Sequence, residues 1–407
     1  MHLRNRIALY GSYSLGLAGV GFTLPYLPLL LGQRGMSDRT IGLLSTLAAL
    51  AGLVQFPIGI WSDRLSRRRP FLLAAYAALA VSTILLLRAR NLIWLGFLVV
   101  VFAENGLCRP AADSLSGATA VILSAPGQVG TALGALRFWR PVGIVAMCVV
   151  GGLLAQRYGV ASILWPLAAI QVLAVVFAWF LREQDGGHSL PLTTSAHIQT
   201  AVTESVGEEG PQSTGQPDRV LWIFVAAMIL FHIGNAPGGV YLGLFASREL
   251  HASERFLSYL FVISMMAWML TVWPTGKLAD RVGRKPLLAV AWSAMTLRLI
   301  LVAIARAPWQ ILIIQVLDGM AQGMFIVVAA AWVTDRFDDP GRNGEAQVLV
   351  GSALVAGSAI GPTLAGLVLG ALGYRGMFLL LSAIGLISTG IVVALVPESL
   401  KHCEYPR

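Results

Sequence analysis

Polar positions along this chain are few and bunched, and what lies between them is apolar. Runs of about 18 to 25 apolar residues, enough to cross a hydrocarbon layer of about 30 Å as helix, begin near Ile7, Ile41, Phe71, Leu92, Val129, Val160, Val220, Phe256, Leu287, Trp309, Val348 and Met377. Inside a bilayer no water satisfies open backbone groups, so each run is predicted as a helix. The pattern therefore predicts an all-α membrane protein with twelve transmembrane helices. Residues 1–182 would form one six-helix bundle, and residues 219–407 a second with a short tail. Between 183 and 218 the chain turns polar and acidic, with Glu183, Asp185, Glu204, Glu208 and Glu209, and reads as a flexible linker. The first run holds Pro25 and Pro28 and lacks a small-residue cleavage site, so it reads as a retained helix and not a removed signal peptide.

One phrase occurs twice. Gly59-Ile60-Trp61-Ser62-Asp63-Arg64-Leu65-Ser66-Arg67-Arg68 follows the second run, and Gly276-Lys277-Leu278-Ala279-Asp280-Arg281-Val282-Gly283-Arg284-Lys285 follows the eighth. Asp63 and Asp280 are 217 positions apart in a chain of 407. Pro70 pairs with Pro286, Arg90 with Arg306, Trp94 with Trp309 and Tyr158 with Tyr374 at offsets of 215 or 216. The two bundles are thus pseudo-symmetric duplicates. Parallel six-span repeats are a transporter plan in which the substrate site lies in a central cavity between the halves, near the midplane.

Composition agrees and adds an orientation. Apolar residues are 57% of the chain, charged residues 12%, and mean hydropathy is +0.74, beyond the range of a soluble domain. Of 29 Lys and Arg, sixteen fall on the side of the termini and both copies of the phrase, nine on the other, and four inside runs. The positive-inside rule places both termini in the cytoplasm of a multi-pass plasma (inner) membrane protein. The net charge of +9 sits at membrane edges, so no nucleic-acid partner is expected. Cys108, Cys148 and Cys403 form no metal or disulfide spacing. No Gly-rich Lys loop, His-Glu-x-x-His motif or nucleophile elbow occurs, so neither enzyme activity nor ATP drive, metal or cofactor is expected.

Glycine pairs at four-residue spacing (Gly130 and Gly134, Gly234 and Gly238, Gly319 and Gly323, Gly357 and Gly361) suit close helix approach. Pro25, Pro28, Pro110, Pro141, Pro237 and Pro362 are expected to interrupt or bend their spans.

The doubled phrase, Gly-x-x-x-Asp-Arg-x-x-Arg-[Arg/Lys], resembles the signature of the major facilitator superfamily, and the twelve-span repeat extends the likeness over nearly the whole chain. The resemblance implies two bundles around a cavity that opens alternately to either side, with the third helix of each triplet outermost. Ser66 stands where the family usually has Gly, while the second copy keeps Gly283. Gly59, Asp63, Arg64 and Arg67, with Gly276, Asp280, Arg281 and Arg284, are read as a cytoplasmic gating motif. Gly59 and Gly276 would permit close helix approach, and the aspartates would bind an Arg or a helix N-terminus.

Pro110-Ala111-Ala112-Asp113, followed by Arg137-Phe138-Trp139-Arg140-Pro141-Val142-Gly143, is similar to the lactose-permease type of proton symporter and its nucleoside and aromatic-acid relatives. That likeness implies substrate contacts at Asp113 and Arg137. Arg140 and Pro141 stand where that type often has small residues. The second half is similar to generic efflux-type members through Gly357-x-x-x-Gly361-Pro362 and Phe231-His232-Ile233-Gly234-Asn235.

Charges inside the runs are costly unless they face a cavity or a partner. By depth at ~1.5 Å per residue, Arg298 and Asp318 fall within ~3 Å of one level, which predicts a buried ion pair. Glu104 lies near mid-membrane with Arg140 at comparable depth, and Arg109 and Asp113 share one helical face. A carboxylate taken out of water holds its proton more tightly, and an approaching arginine releases it. Glu104 is therefore the candidate for proton coupling, with Asp113 as alternate. Arg140, His232 and Asn235 join Asp113 and Arg137 as candidate substrate contacts. Four interior arginines against three interior carboxylates favour an anionic or polar substrate.

The expected protein is a monomeric secondary active transporter that moves a small organic solute through the bilayer by alternating access coupled to protons, a symporter in the first instance. A proton-driven drug or metabolite efflux pump is the alternative within transport, and a transport-dead membrane sensor the alternative of another class.

Overall fold

Helix is the only regular structure among the described residues of the computed structural model, which are 3–65, 67–89, 91–123, 129–182, 219–335 and 343–399. The linker at 183–218 lies outside them, as do the side chains of Asp63, Arg64 and Arg137. The first span is α1 (Leu3–Leu17), α2 (Val20–Thr23) and α3 (Leu27–Gln33), bent by 48° before α3. The second is α4 (Asp38–Gly52) with α5 (Gln55–Arg64), and the third is α6 (Arg69–Arg88). The fourth is α7 (Leu92–Phe102) with α8 (Cys108–Ile122), and the fifth is α9 (Val129–Tyr158). A 3₁₀ turn at Val160–Ile163 leads into the sixth, α10 (Leu164–Trp179). The second half comprises α11 (Arg219–Arg248), α12 (Glu254–Val282), α13 (Arg284–Ile304), α14 (Pro308–Thr334) and α15 (Asn343–Leu395). The last holds the eleventh and twelfth spans, which meet at Gly373.

Local chemistry explains where these helices start and turn. Ser37 and Ser253, 216 positions apart, each accept a hydrogen bond from the backbone three residues on, capping the second and eighth spans. Gly373 (φ 66°, ψ 179°) and Gly159 (φ 82°, ψ 162°) make the same sharp corner in the two halves. That backbone shape is open to glycine at little cost and strained for other residues.

Proline accounts for the break in the first span, where Pro25 lies between α2 and α3 and Pro28 in the first turn of α3, but not for the course of the other spans. Pro141, Pro237 and Pro362 stay inside continuous helices, because a packed neighbour holds the helix through one lost hydrogen bond. The fourth span instead opens at residues 103–107, where there is no proline at all.

The halves meet through α4 against α15 and α9 against α12. Bonds between them gather at the end of the bundle opposite the termini. Arg248 Nη1 donates to both carboxylate oxygens of Asp38 at 2.8 Å, and the Tyr241 hydroxyl donates to the Asp38 carbonyl at 3.0 Å. The Tyr26 hydroxyl donates to the Glu254 carbonyl at 2.9 Å, and the Thr46 and Thr363 hydroxyls lie 2.6 Å apart. This end is closed. At the terminal end, by contrast, the positions a Cβ would take on Gly59 and Gly276 have no atom within 4 Å. The close approach expected at those two glycines is therefore not made in this conformation, because no described helix reaches them.

Candidate functional site

In the first half, α1 and α9 touch where Gly143 makes room for the Ser14 carbonyl; a Cβ there would lie 2.2 Å from that oxygen. This approach carries Tyr13 on α1 and Arg140 on α9 to Asp113 on α8. The Tyr13 hydroxyl donates to Asp113 Oδ1 at 2.7 Å, and Arg140 Nη1 donates to Oδ2 at 3.3 Å. Arg140 Nη2 lies 4.0 Å from Glu104 Oε1. One guanidinium thus stands between two carboxylates. All three side chains remain 21–34% exposed, so the cluster is within reach of solute and water.

Glu104 gets its position from a loop inside the fourth span. In an unbroken helix the Val100 carbonyl would accept from residue 104; here it accepts from Leu107 N–H at 3.1 Å. Glu104, Asn105 and Gly106 are therefore looped out as an insertion. Gly106 permits the closure, since a Cβ there would lie 2.3 Å from the Val100 oxygen. Gly52, at the end of α4, takes the Asn105 carbonyl against its bare Cα, with a Cβ 2.4 Å away. Irregular backbone at membrane depth is tolerated only where protein or a wet cavity covers it, and discontinuous helices recur at transport sites.

Arg109, one turn before Asp113, points the other way. It is 2% exposed, its Nη1 donates to Thr23 Oγ1 at 3.0 Å, and its guanidinium lies 4.5 Å from the Phe102 ring centroid. The break between α1 and α2 makes room for it, for a Cβ on Gly19 would sit 2.3 Å from Nη2. The shared helical face of Arg109 and Asp113 therefore does not bring the two side chains to one another.

The second half carries a different constellation. Arg298 Nη1 on α13 lies 3.0 Å from Asp318 Oδ1 on α14 and donates to Asn235 Oδ1 on α11 at 2.7 Å. The Ser264 hydroxyl donates to the other Asp318 oxygen at 2.5 Å. Small residues again open the space. Gly238 leaves room for the guanidinium, and Gly319 lets α14 meet the Ser264 backbone. Arg298 is 3% exposed, and its partners Asp318 and Asn235 come from two other helices. His232 is not part of this group. It is buried between the rings of Phe231 and Phe325 with its Cβ against Gly357, in the apolar core of the second half. Among the candidate substrate contacts whose side chains are described, only Asp113 and Arg140 are seen side by side.

At the second copy of the repeated phrase, Arg284 Nη1 donates to Asp280 Oδ1 at 2.6 Å and Nε to Asp335 Oδ2 at 3.1 Å. The N-terminus of α13 is capped by Glu398, which accepts from Arg284 and Lys285 backbone N–H groups at 2.8 and 3.0 Å. Asp280 on α12 thus binds the arginine that opens α13, one of the two kinds of partner expected for the aspartate, and Glu398 takes the helix N-terminus. Arg281 is exposed, as is Arg67 in the first copy.

Ser264 and Thr23 take part without a motif to mark them; each is a polar residue within an apolar run, and that is the available signal. Tyr13 likewise has no motif around it in the sequence.

Two helical bundles, duplicated end to end and closed on each other at one end, with charged clusters at mid-membrane, define a multi-pass membrane transporter. Residues 7–380 match the MFS_1 like family, and the chain belongs to the major facilitator superfamily. It is 26% identical over 385 residues to the multi-drug resistance efflux pump PmrA of Streptococcus pneumoniae, covering 92% of this chain and 91% of that protein. With the multidrug resistance protein MdtG of Salmonella paratyphi A it shares 26% identity over 325 residues, 76% of each chain. The crystal structure of the nucleoside transporter NupG superposes with a TM-score of 0.78 at 14% identity, covering 97% of this chain and 99% of that one. These likenesses establish the twelve-helix fold and the transporter family.

Proposed function

We propose that this chain moves a small organic solute by alternating access, coupled to protons, and that it works in the direction of export. The observation that carries the reading is Arg140 standing between Glu104 and Asp113. A proton on either carboxylate removes half of what holds the guanidinium, leaving it to the other carboxylate or to a solute. Glu104 takes the coupling proton, with Asp113 as alternate, and Asp113, Arg137 and Arg140 meet the solute. Export is supported by the relatives, since PmrA is named an efflux pump and MdtG a multidrug resistance protein.

In this reading the termini are cytoplasmic, on the positive-inside rule. The clasp of Asp38, Arg248 and Tyr374 then seals the outer end, and the conformation is open to the cytoplasm. Closing the inner end would bring helices against Gly59 and Gly276, the role proposed for the repeated phrase. The chain acts as a monomer.

Proteoliposomes with an imposed pH gradient test the assignment, using solutes found by thermal-shift screening of sugars, nucleosides, aromatic acids and cationic drugs. Wild-type protein is expected to couple solute flux to proton flux, and Glu104→Gln to carry solute without protons. A Glu104→Gln variant that still couples the two would remove Glu104 from the mechanism. Accumulation in whole cells, with none in inverted vesicles, would reverse the direction.

A further inference from the structure

The first and sixth spans part at the terminal edge of the bundle. Between them lies an apolar crevice of about 560 Å³, lined by Leu3, Arg4, Ile7, Ala8, Phe177 and Phe180. It narrows inward and closes at Gly11, where a Cβ would lie 2.7 Å from Phe177 Cδ1. That point is one helical turn, ~6 Å, beyond Ile7. Leu3, Ile7, Trp179 and Phe180 are exposed, and Leu173 and Val176 continue the apolar surface down α10. The crevice therefore opens on the flank that meets lipid.

Charge is arranged around its mouth. The last carbonyls of a helix carry partial negative charge and repel a phosphate, but here two of them, and one carbonyl just beyond the helix, are taken. Arg4 Nε donates to the Phe180 carbonyl at 3.3 Å, Arg69 Nη2 to that of Trp179 at 2.5 Å, and Asn5 Nδ2 to that of Arg182 at 3.2 Å. Among the described residues, what is left at the edge is cationic. The Arg4 guanidinium is pinned through Nε, and its two terminal nitrogens bond no other described residue. Arg6 and Arg182 are exposed at the same edge.

We infer that this crevice is a binding site for one anionic phospholipid. The fork of Arg4 grips the phosphate in the bidentate manner that suits guanidinium, and the start of an acyl chain fills the space between Ile7, Ala8 and Phe177. The remainder of the chain runs along Val176 and Leu173. Apolar walls behind a fixed cation, at the depth where headgroup meets hydrocarbon, match a lipid; a free phosphate would leave those walls wet. The lipid would bridge the first and sixth spans, which belong to one bundle, and so would stabilise that bundle whatever solute the protein carries.

Native mass spectrometry of the full-length protein in mild detergent, with phosphatidylglycerol, phosphatidylcholine or inorganic phosphate added, tests the site. One retained phosphatidylglycerol per chain is expected. Arg4→Gln and Ile7→Trp should each weaken retention on the order of tenfold, the value of one charge-assisted contact. Arg88→Gln, on the opposite edge, should retain it fully. Thermal melts should show both crevice variants folded, since each changes an exposed side chain. Equal retention of phosphatidylcholine would mean that the headgroup is not read. Displacement of the lipid by inorganic phosphate would make the ligand a soluble anion. Undiminished binding by both crevice variants would put the lipid elsewhere. Any one of these results overturns the proposal.

Discussion

The two halves descend from one duplicated unit, yet their mid-membrane charges are built differently. In the second half, α14 runs unbroken and Asp318 meets Arg298 in a nest closed by Asn235 and Ser264. In the first, the corresponding span is opened by Glu104, Asn105 and Gly106, and the carboxylates share a guanidinium that remains a third exposed. A closed nest holds its charges in one arrangement. An open cluster with one cation between two anions has more than one arrangement of similar energy, which is what a switch needs. Duplication supplied the scaffold, and a three-residue loop sets one half apart from the other.

That contrast can be broken by experiment. The largest effect is expected in the nest. Arg298→Leu strands the Asp318 carboxylate, and loss of one partner of a buried pair costs about 3–5 kcal/mol, read as a large fall in melting temperature. The double variant Arg298→Leu with Asp318→Leu should recover most of that loss, and failure to recover would mean the pair does more than hold the fold. Next is Gly106→Ala, which forces a methyl into the Val100 carbonyl and should cost about 1–3 kcal/mol while disturbing transport through Glu104. If stability and transport are both unchanged, the loop is not what positions Glu104.

Smaller stability effects are expected in the open cluster. Glu104→Gln should change the melting temperature little, because its nearest charged partner is 4.0 Å away and both groups are partly exposed. Its coupled transport should nevertheless fall by about 5–150-fold, the usual span of a coupling free energy. Tyr13→Phe removes one donor to Asp113 and should cost about 1 kcal/mol, a several-fold change in transport rate. A variant series in which the open cluster melts like the nest would erase the distinction between them.

Much of this was legible before any coordinates. Twelve apolar runs and a phrase repeated 217 residues apart specify the spans and the duplication, since the bilayer leaves helix as the one way to satisfy each run's backbone. Depth counting alone set Arg298 and Asp318 at one level, and 3.0 Å separates them. Counting could do this because both spans are regular there. It could not find the loop at Glu104, which depends on Gly106 admitting the Val100 carbonyl and Gly52 admitting Asn105. Nor could it turn Arg109 away from Asp113, because that needs the gap at Gly19 on another helix.

What the sequence determined by itself is whatever follows from the solvent: which segments are helices, how many there are, and that half the chain repeats the other. Only tertiary structure decided which end is closed and which charges touch, and whether Gly59 and Gly276 stand packed or open. The physical reason is range. Hydropathy and helix geometry act over a single span and are written in consecutive residues, whereas the partners of Glu104, Arg109 and Asp38 are brought in from distant positions by helix packing.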